Sequence, residues 1–260
     1  MKKFRKLLPA LSMLLISALL MGSSTFAWFS MNTTVTATGM HVKAKAEDGI
    51  VISNVDKNAW NETAQAKDSN VKELRPTSTV DGTTWYHNSS KASDNATDYA
   101  GEFVTVQDSE KEQYYATYKF YIRSSSENDL TKDLYIKQVT IAINGTGAAN
   151  SAELNKAIRV LVVVGETKKV FAPGSDSTLS YRVNNAESAK IAYDCTAEEG
   201  KNIKTSINSI PKQSTSTPVE VTVYVYYEGE DVHCKSTNIK ATLDQMDISV
   251  AFEAKDPVSA

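Results

Sequence analysis

Val219-Glu220-Val221-Thr222-Val223-Tyr224-Val225-Tyr226 places valine at every second position and Glu, Thr or Tyr between. Side chains of an extended chain point alternately to opposite faces, so this period of two predicts a strand with a valine face against a core. The same pattern recurs in Met246, Ile248, Val250 and Phe252, and in Tyr114, Ala116, Tyr118, Phe120 and Ile122. A fourth strand is expected from Leu134 to Ile143, where the apolar parity switches between Ile136 and Val139; a β-bulge near Lys137 and Gln138 accounts for the switch. Val160-Leu161-Val162-Val163-Val164 is β-branched and continuous up to Gly165, which predicts a central strand covered on both faces. Shorter strands are expected over 40–45, 50–52, 169–171, 188–193 and 235–243. One short helix is expected after Ser151, with Glu153, Leu154 and Ala157 along it. Many short strands separated by turn residues predict an all-β, jelly-roll-like antiparallel β-sandwich with long loops and that one helix.

The N-terminus has a different grammar. Lys2, Lys3, Arg5 and Lys6 precede an apolar run from Leu7 to Met21 and a small-residue tail ending at Ala27. The run is shorter than the ~20 residues that span a bilayer, and the order of basic, apolar and small segments is that of a signal peptide. Residues 1–27 are therefore expected to be a leader cut between Ala27 and Trp28, and residues 28–260 a single secreted domain. No lipobox cysteine follows the apolar run, and the C-terminal Lys255-Asp256-Pro257-Val258-Ser259-Ala260 carries no apolar or sorting-type segment, so no stable membrane anchor is expected after cleavage. Taking the four leader cations from 28 Lys and Arg leaves 24 against 31 Asp and Glu, a net charge of −7. An acidic chain without a basic cluster in sequence is a poor partner for nucleic acid or anionic lipid.

Between Ser53 and Glu112 the chain is rich in Asn, Asp, Ser, Thr and Lys, and is expected to form a polar, loop-rich insertion over the sandwich. Trp60, Trp85, Tyr86 and Tyr99 stand in it without any strand alternation that demands them. They either pin the loops to the sandwich or contact a ligand such as a glycan or host protein.

Catalytic constellations are missing from the sequence. His41, His87 and His233 begin no zinc-binding motif, no Gly-x-Ser-x-Gly elbow occurs, and no glycine-rich phosphate loop is present, so neither enzyme activity nor a cofactor is expected. Cys195 and Cys234 could pair after export or remain as thiols. Glu228-Gly229-Glu230-Asp231 and the group Asp94, Asn95 and Asp98 offer hard oxygens for weak calcium binding, against the plainer expectation of solvated loop tips. Five Asn-x-Ser/Thr sequons begin at Asn32, Asn61, Asn88, Asn95 and Asn144.

Thr25-Phe26-Ala27-Trp28-Phe29-Ser30-Met31-Asn32, followed by the threonine-rich 33–38, resembles the signal-peptide junction of the TasA and camelysin group of bacterial surface proteins. That resemblance implies removal of the leader by a signal peptidase of the SipW type, a jelly-roll-like fold, and assembly into extracellular fibres of the biofilm matrix. It further implies donor-strand complementation, in which an N-terminal strand within 28–45, bearing Trp28, Phe29, Met31 and Val35, completes the sheet of the next copy or of a related matrix subunit. Residues 28–37 contain no proline, glycine or charge, which suits a donated strand and equally an ordinary first strand of the chain's own sandwich. The expected function is a structural, self-assembling protein of the cell surface or matrix; the alternative is a monomeric secreted binding module or adhesin using the aromatic loops.

Overall fold

The structure is a computed structural model, and it describes residues 35–37, 41–67, 72–79, 81–88, 103–144, 156–172, 178–179, 182–183, 186–187, 191–192, 202–229, 231, 234 and 245–257. The first half carries β1 (Val35–Ala37), β2 (His41–Ala46), β3 (Ile50–Asn54), β4 (Thr63–Lys67), β5 (Lys72–Leu74), β6 (Ser78–Thr79), β7 (Trp85–Asn88), β8 (Phe103–Thr105) and β9 (Tyr115–Ser124). The second half carries β10 (Asp133–Asn144), β11 (Ile158–Val164), β12 (Thr167–Phe171), β13 (Thr178–Leu179), β14 (Arg182–Val183), β15 (Ala186–Glu187), β16 (Ile191–Ala192), β17 (Ile203–Lys204), β18 (Val219–Tyr227) and β19 (Gln245–Lys255).

Two five-stranded sheets form the body, in the orders β17-β10-β19-β2-β4 and β12-β11-β18-β9-β3. Their inner faces supply one core, with Val42, Ile136, Val250 and Phe252 from the first sheet against Ile52, Phe120, Val160 and Val223 from the second. The expected sandwich is therefore present. Val221, Val223 and Val225 point into this core as their parity requires. The bulge also stands where expected: the β10–β19 register slips between Ile136 and Gln138, which brings Val139 to the side already used by Leu134 and Ile136. One strand pair among the described residues departs from an antiparallel sandwich, because β2 runs parallel to β19 from His41↔Asp247 to Ala46↔Phe252.

Three local expectations change. The helix expected at 151–157 lies outside the described residues apart from Lys156 and Ala157, which form a turn; the short 3-10 helix at Lys111–Gln113 has no apolar periodicity to announce it. The polar segment 53–112 is not all loop, since it supplies β4 through β8. In β4 the alternation is Thr63, Gln65 and Lys67 against Ala64 and Ala66, and the alanines pack on the core with too little apolar surface to signal a strand.

The third change concerns β18, whose second face is not open. The β6-β7-β8 sheet covers part of the outer face of the β18 sheet and forms a second core of Trp85, Val106, Tyr114, Tyr115, Leu161, Val170, Ala172 and Tyr226. Leu161 lies on the opposite side of β11 from Val160 and Val162, so this central strand is buried on both faces as expected. Gly82 makes the close approach feasible. It has φ +68°, and a Cβ there would collide with Leu161 Cδ2.

Candidate functional site

Val35–Ala37 pairs antiparallel with Lys72–Leu74 of the same chain, in the register Val35↔Leu74, Thr36↔Glu73 and Ala37↔Lys72. This pair stands as a two-stranded sheet apart from both five-stranded ones. By contrast, β2 lies between β19 and β4 with Val42, Ala44 and Ala46 buried. Of the segment 28–45 expected to hold a donor strand, residues 41–45 pair here within the chain's own sheet, between β19 and β4. Ala27, Trp28, Phe29 and Met31 lie outside the described residues.

The aromatic residues divide. Trp85 is 2% exposed and does not face solvent. It stacks on Tyr115 at a centroid distance of 4.1 Å and meets Tyr226 edge-on at 4.9 Å, so it pins the second layer down rather than offering a ligand contact. Tyr86 is half-buried in β7, opposite Ser78 on one side and Thr105 on the other. Trp60 is half-buried beneath the Arg123 guanidinium, 3.8 Å from the ring centroid. Tyr99 lies outside the described residues.

The acidic stretch Glu228–Asp231 is not a solvated loop tip. Glu228 and Asp231 are 0% and 2% exposed, and Asp231 accepts a 2.5 Å hydrogen bond from Nη2 of the fully buried Arg159. Nη1 of Arg159 donates to the carbonyls of Lys156 and Ile158 at 2.6 and 2.9 Å, and Ser78 Oγ donates to Glu228. Thr77 N–H donates to Tyr227 O, and Gly229 N–H to Thr77 O. A buried ion pair survives when hydrogen bonds surround it, and here they fasten β6 to the end of β18. Sequence reasoning missed the partner because Arg159 is 72 residues away from Asp231.

Cys234 sits beside this network as a free, fully buried thiol. Burial, reinforced by the Asp231 and Glu228 charges, pushes its pKa well above the ordinary thiol value, so it stays protonated and unreactive near neutrality. Its expected partner Cys195 lies outside the described residues, as do His233, Asp94, Asn95 and Asp98. Among the described residues, no group of three or more His, Cys, Asp or Glu side chains could hold a metal ion. His41 Nδ1 lies 3.2 Å from Gln65 Nε2, and the His87 ring packs 4.7 Å from that of Tyr114. Among the sequons, Asn61 is exposed, Asn88 and Asn144 end strands β7 and β10, and Asn32 and Asn95 fall outside the described residues.

The sequence also gave no sign of a second aromatic and cationic pair. Lys57 Nζ lies 3.9 Å over the Tyr121 ring, beside the Arg123 and Trp60 pair. Tyr121 Oη donates to Glu220 at 3.4 Å, and Lys119 Nζ donates to the same carboxylate at 2.7 Å. Lys119 first, then partial burial in the opposite sense, sets the Glu220 pKa, which lies below the usual carboxylate range. No helix among the described residues is long and apolar enough to cross a membrane. No family model, no curated protein and no solved structure matches this chain.

Proposed function

We propose that the chain is a structural protein of the cell surface or extracellular matrix, exported by the leader 1–27 and assembling with copies of itself or a related subunit through the segment before His41. The observation that carries this reading is the isolation of β1. It pairs with three residues of β5 outside both main sheets, whereas β2 fills the interior position beside β19. Withdrawing β1 leaves the sandwich closed, and β5 of a neighbouring copy presents the same backbone groups in the same register. Exchange of an identical element between copies adds no new chemistry to the contact, and when it runs head to tail without closing it yields a filament. Sequence supports the reading as well, because 28–37 is uncharged and rich in β-branched residues.

Electron microscopy of the processed protein and of a form lacking residues 28–37 tests it. The expected result is fibres from the first and a folded, fibre-free monomer from the second. Fibres from both would remove the N-terminal segment from the mechanism.

A further inference from the structure

Unpaired backbone donors and acceptors gather at the edges of sheets, and the edges of the two five-stranded sheets differ. In the first sheet β17 pairs with β10 only at Tyr135↔Lys204 and Ile136↔Ile203, and Asn202 N–H donates to Lys137 O just beyond. Over residues 138–144, β10 pairs with β19 on one side, and on the other side no strand among the described residues lies against it. β13 pairs with β16 and β14 with β15, so none of these covers it. The remaining edges carry charge or a bridge: β12 holds Lys168 and Lys169, β4 ends at Lys67, and Ile52 of β3 exchanges two backbone hydrogen bonds with Asn61. Residues 138–144, Gln-Val-Thr-Ile-Ala-Ile-Asn, contain no charge, proline or glycine, and the β-bulge stands before them, between Ile136 and Gln138. The devices that ordinarily block an edge are therefore missing from this stretch. Val139 is 4% exposed and Ile141 packs on the main core, whereas Gln138 and Thr140 are exposed.

We propose that this edge pairs with the same edge of a second copy, antiparallel about a two-fold axis at Ile141. The sequence selects the occupant, because its character reads alike in both directions. In that register Gln138 stands opposite Asn144, Val139 opposite Ile143, Thr140 opposite Ala142 and Ile141 opposite Ile141 of the second copy. Amide then meets amide, β-branched meets β-branched and small meets small, which is the self-complementarity that an isologous contact requires. Antiparallel order continues that of β10 and β19, and an axis perpendicular to the sheet leaves the core-facing sides of both copies on the same side of the joined sheet. At about 3.4 Å per residue the seam is about 24 Å long, and one strand edge of that length covers less than the about 800 Å² per partner of a standard interface. The contact is therefore weak between free copies and dissociated at the dilution used for electron microscopy. It strengthens wherever another contact already holds copies at high local concentration. It uses no residue before Gln138 and does not rest on exchange of β1.

Thr140→Cys with Ala142→Cys, made in the intact processed chain, sets cysteine opposite cysteine across the seam at a spacing a disulfide can bridge. Natural-abundance and heavy-nitrogen-labelled chains are mixed in equal amounts, concentrated to the millimolar range and oxidised. The expected product joins residue 140 of one copy to residue 142 of another, and mass spectrometry identifies it as a mixed-isotope peptide pair whether or not fibres have formed. Adding Gln138→Lys with Asn144→Lys sets lysine opposite lysine at both ends of the seam and should lower that yield about fivefold. Mixing this variant with its Gln138→Glu, Asn144→Glu counterpart should restore the yield, which also shows that the lysine chain is folded. Thr63→Lys, exposed on β4 at the far edge of the same sheet, should leave the yield unchanged. Absence of the mixed-isotope pair, a yield that the paired lysines do not lower, or a bridge from residue 140 or 142 to Cys195 of the same chain would overturn the proposal, the last by showing that the edge is covered from within.

Discussion

On the outer side of the β17-β10-β19-β2-β4 sheet stand Lys43, Lys45, Lys137 and Lys255; Lys45 and Lys137 pair with Glu47, and Lys255 with the buried Glu253. On the outer side of its partner sheet stand Leu161, Tyr115, Tyr224 and Tyr226, packed on Trp85. Both sheets bury the same kind of inner face, yet among the described residues only the second carries a third layer. The difference is written in the residues between the core positions: Ser249 and Ala251 in β19 are small, whereas Tyr224 and Tyr226 in β18 bring rings whose burial a further layer completes. A period of two alone does not distinguish these cases.

The comparison breaks first at the shared core. Phe120→Ala, at a fully buried site between the sheets, should cost about 3–5 kcal/mol by thermal or denaturant unfolding and loosen both sheets together. A similar loss is expected from Asp231→Ala, which strands a buried guanidinium at a cost of about 3–5 kcal/mol. Here hydrogen exchange should rise most in β6 and β7, and an increase spread evenly over both sheets would contradict the view that this network holds the third layer. Gly82→Ala should be next, because its Cβ must displace Leu161 and the residue must keep φ +68°; a loss of about 1–3 kcal/mol is expected, confined to the same layer.

The smallest effect belongs to the open sheet. The side chains of Lys137 and Lys45, through their hydrogen bonds, hold Glu47 down to about 2 against an ordinary 4.5. A depressed carboxylate stabilises the fold above its unfolded pKa and loses that contribution as pH falls through the folded one. Glu47→Gln should therefore lower the melting temperature slightly at pH 7 and clearly less at pH 2; the same difference at both would show that the charge is not involved.

Much of the sandwich was legible because β9, β10, β11, β18 and β19 carry their inward residues as Val, Ile and Phe, whose periodicity reports burial directly. The bulge at Ile136–Gln138 was legible for the same reason. β4 was not, since Ala64 and Ala66 bury little, and neither was the third layer, since Trp85 declares its ring but not the Leu161 and Tyr115 that receive it. The site residues fared less well. Arg159 with Asp231, and Lys57 with Tyr121, meet only through long-range register, which no local pattern encodes.

The proposed assembly by exchange of β1 can be tested at Thr36, which stands opposite Glu73 in the β1–β5 register, where antiparallel geometry brings the pair within disulfide range. The double substitution Thr36→Cys with Glu73→Cys, made in the processed chain with Cys234 and Cys195 kept as they are, can be oxidised after fibres have formed and run without reductant. A ladder of covalent multimers, collapsing to monomer on reduction and missing from either single variant, is the predicted result. Fibres that yield only internally bridged monomers would show that β1 stays with its own chain and that assembly runs through another surface.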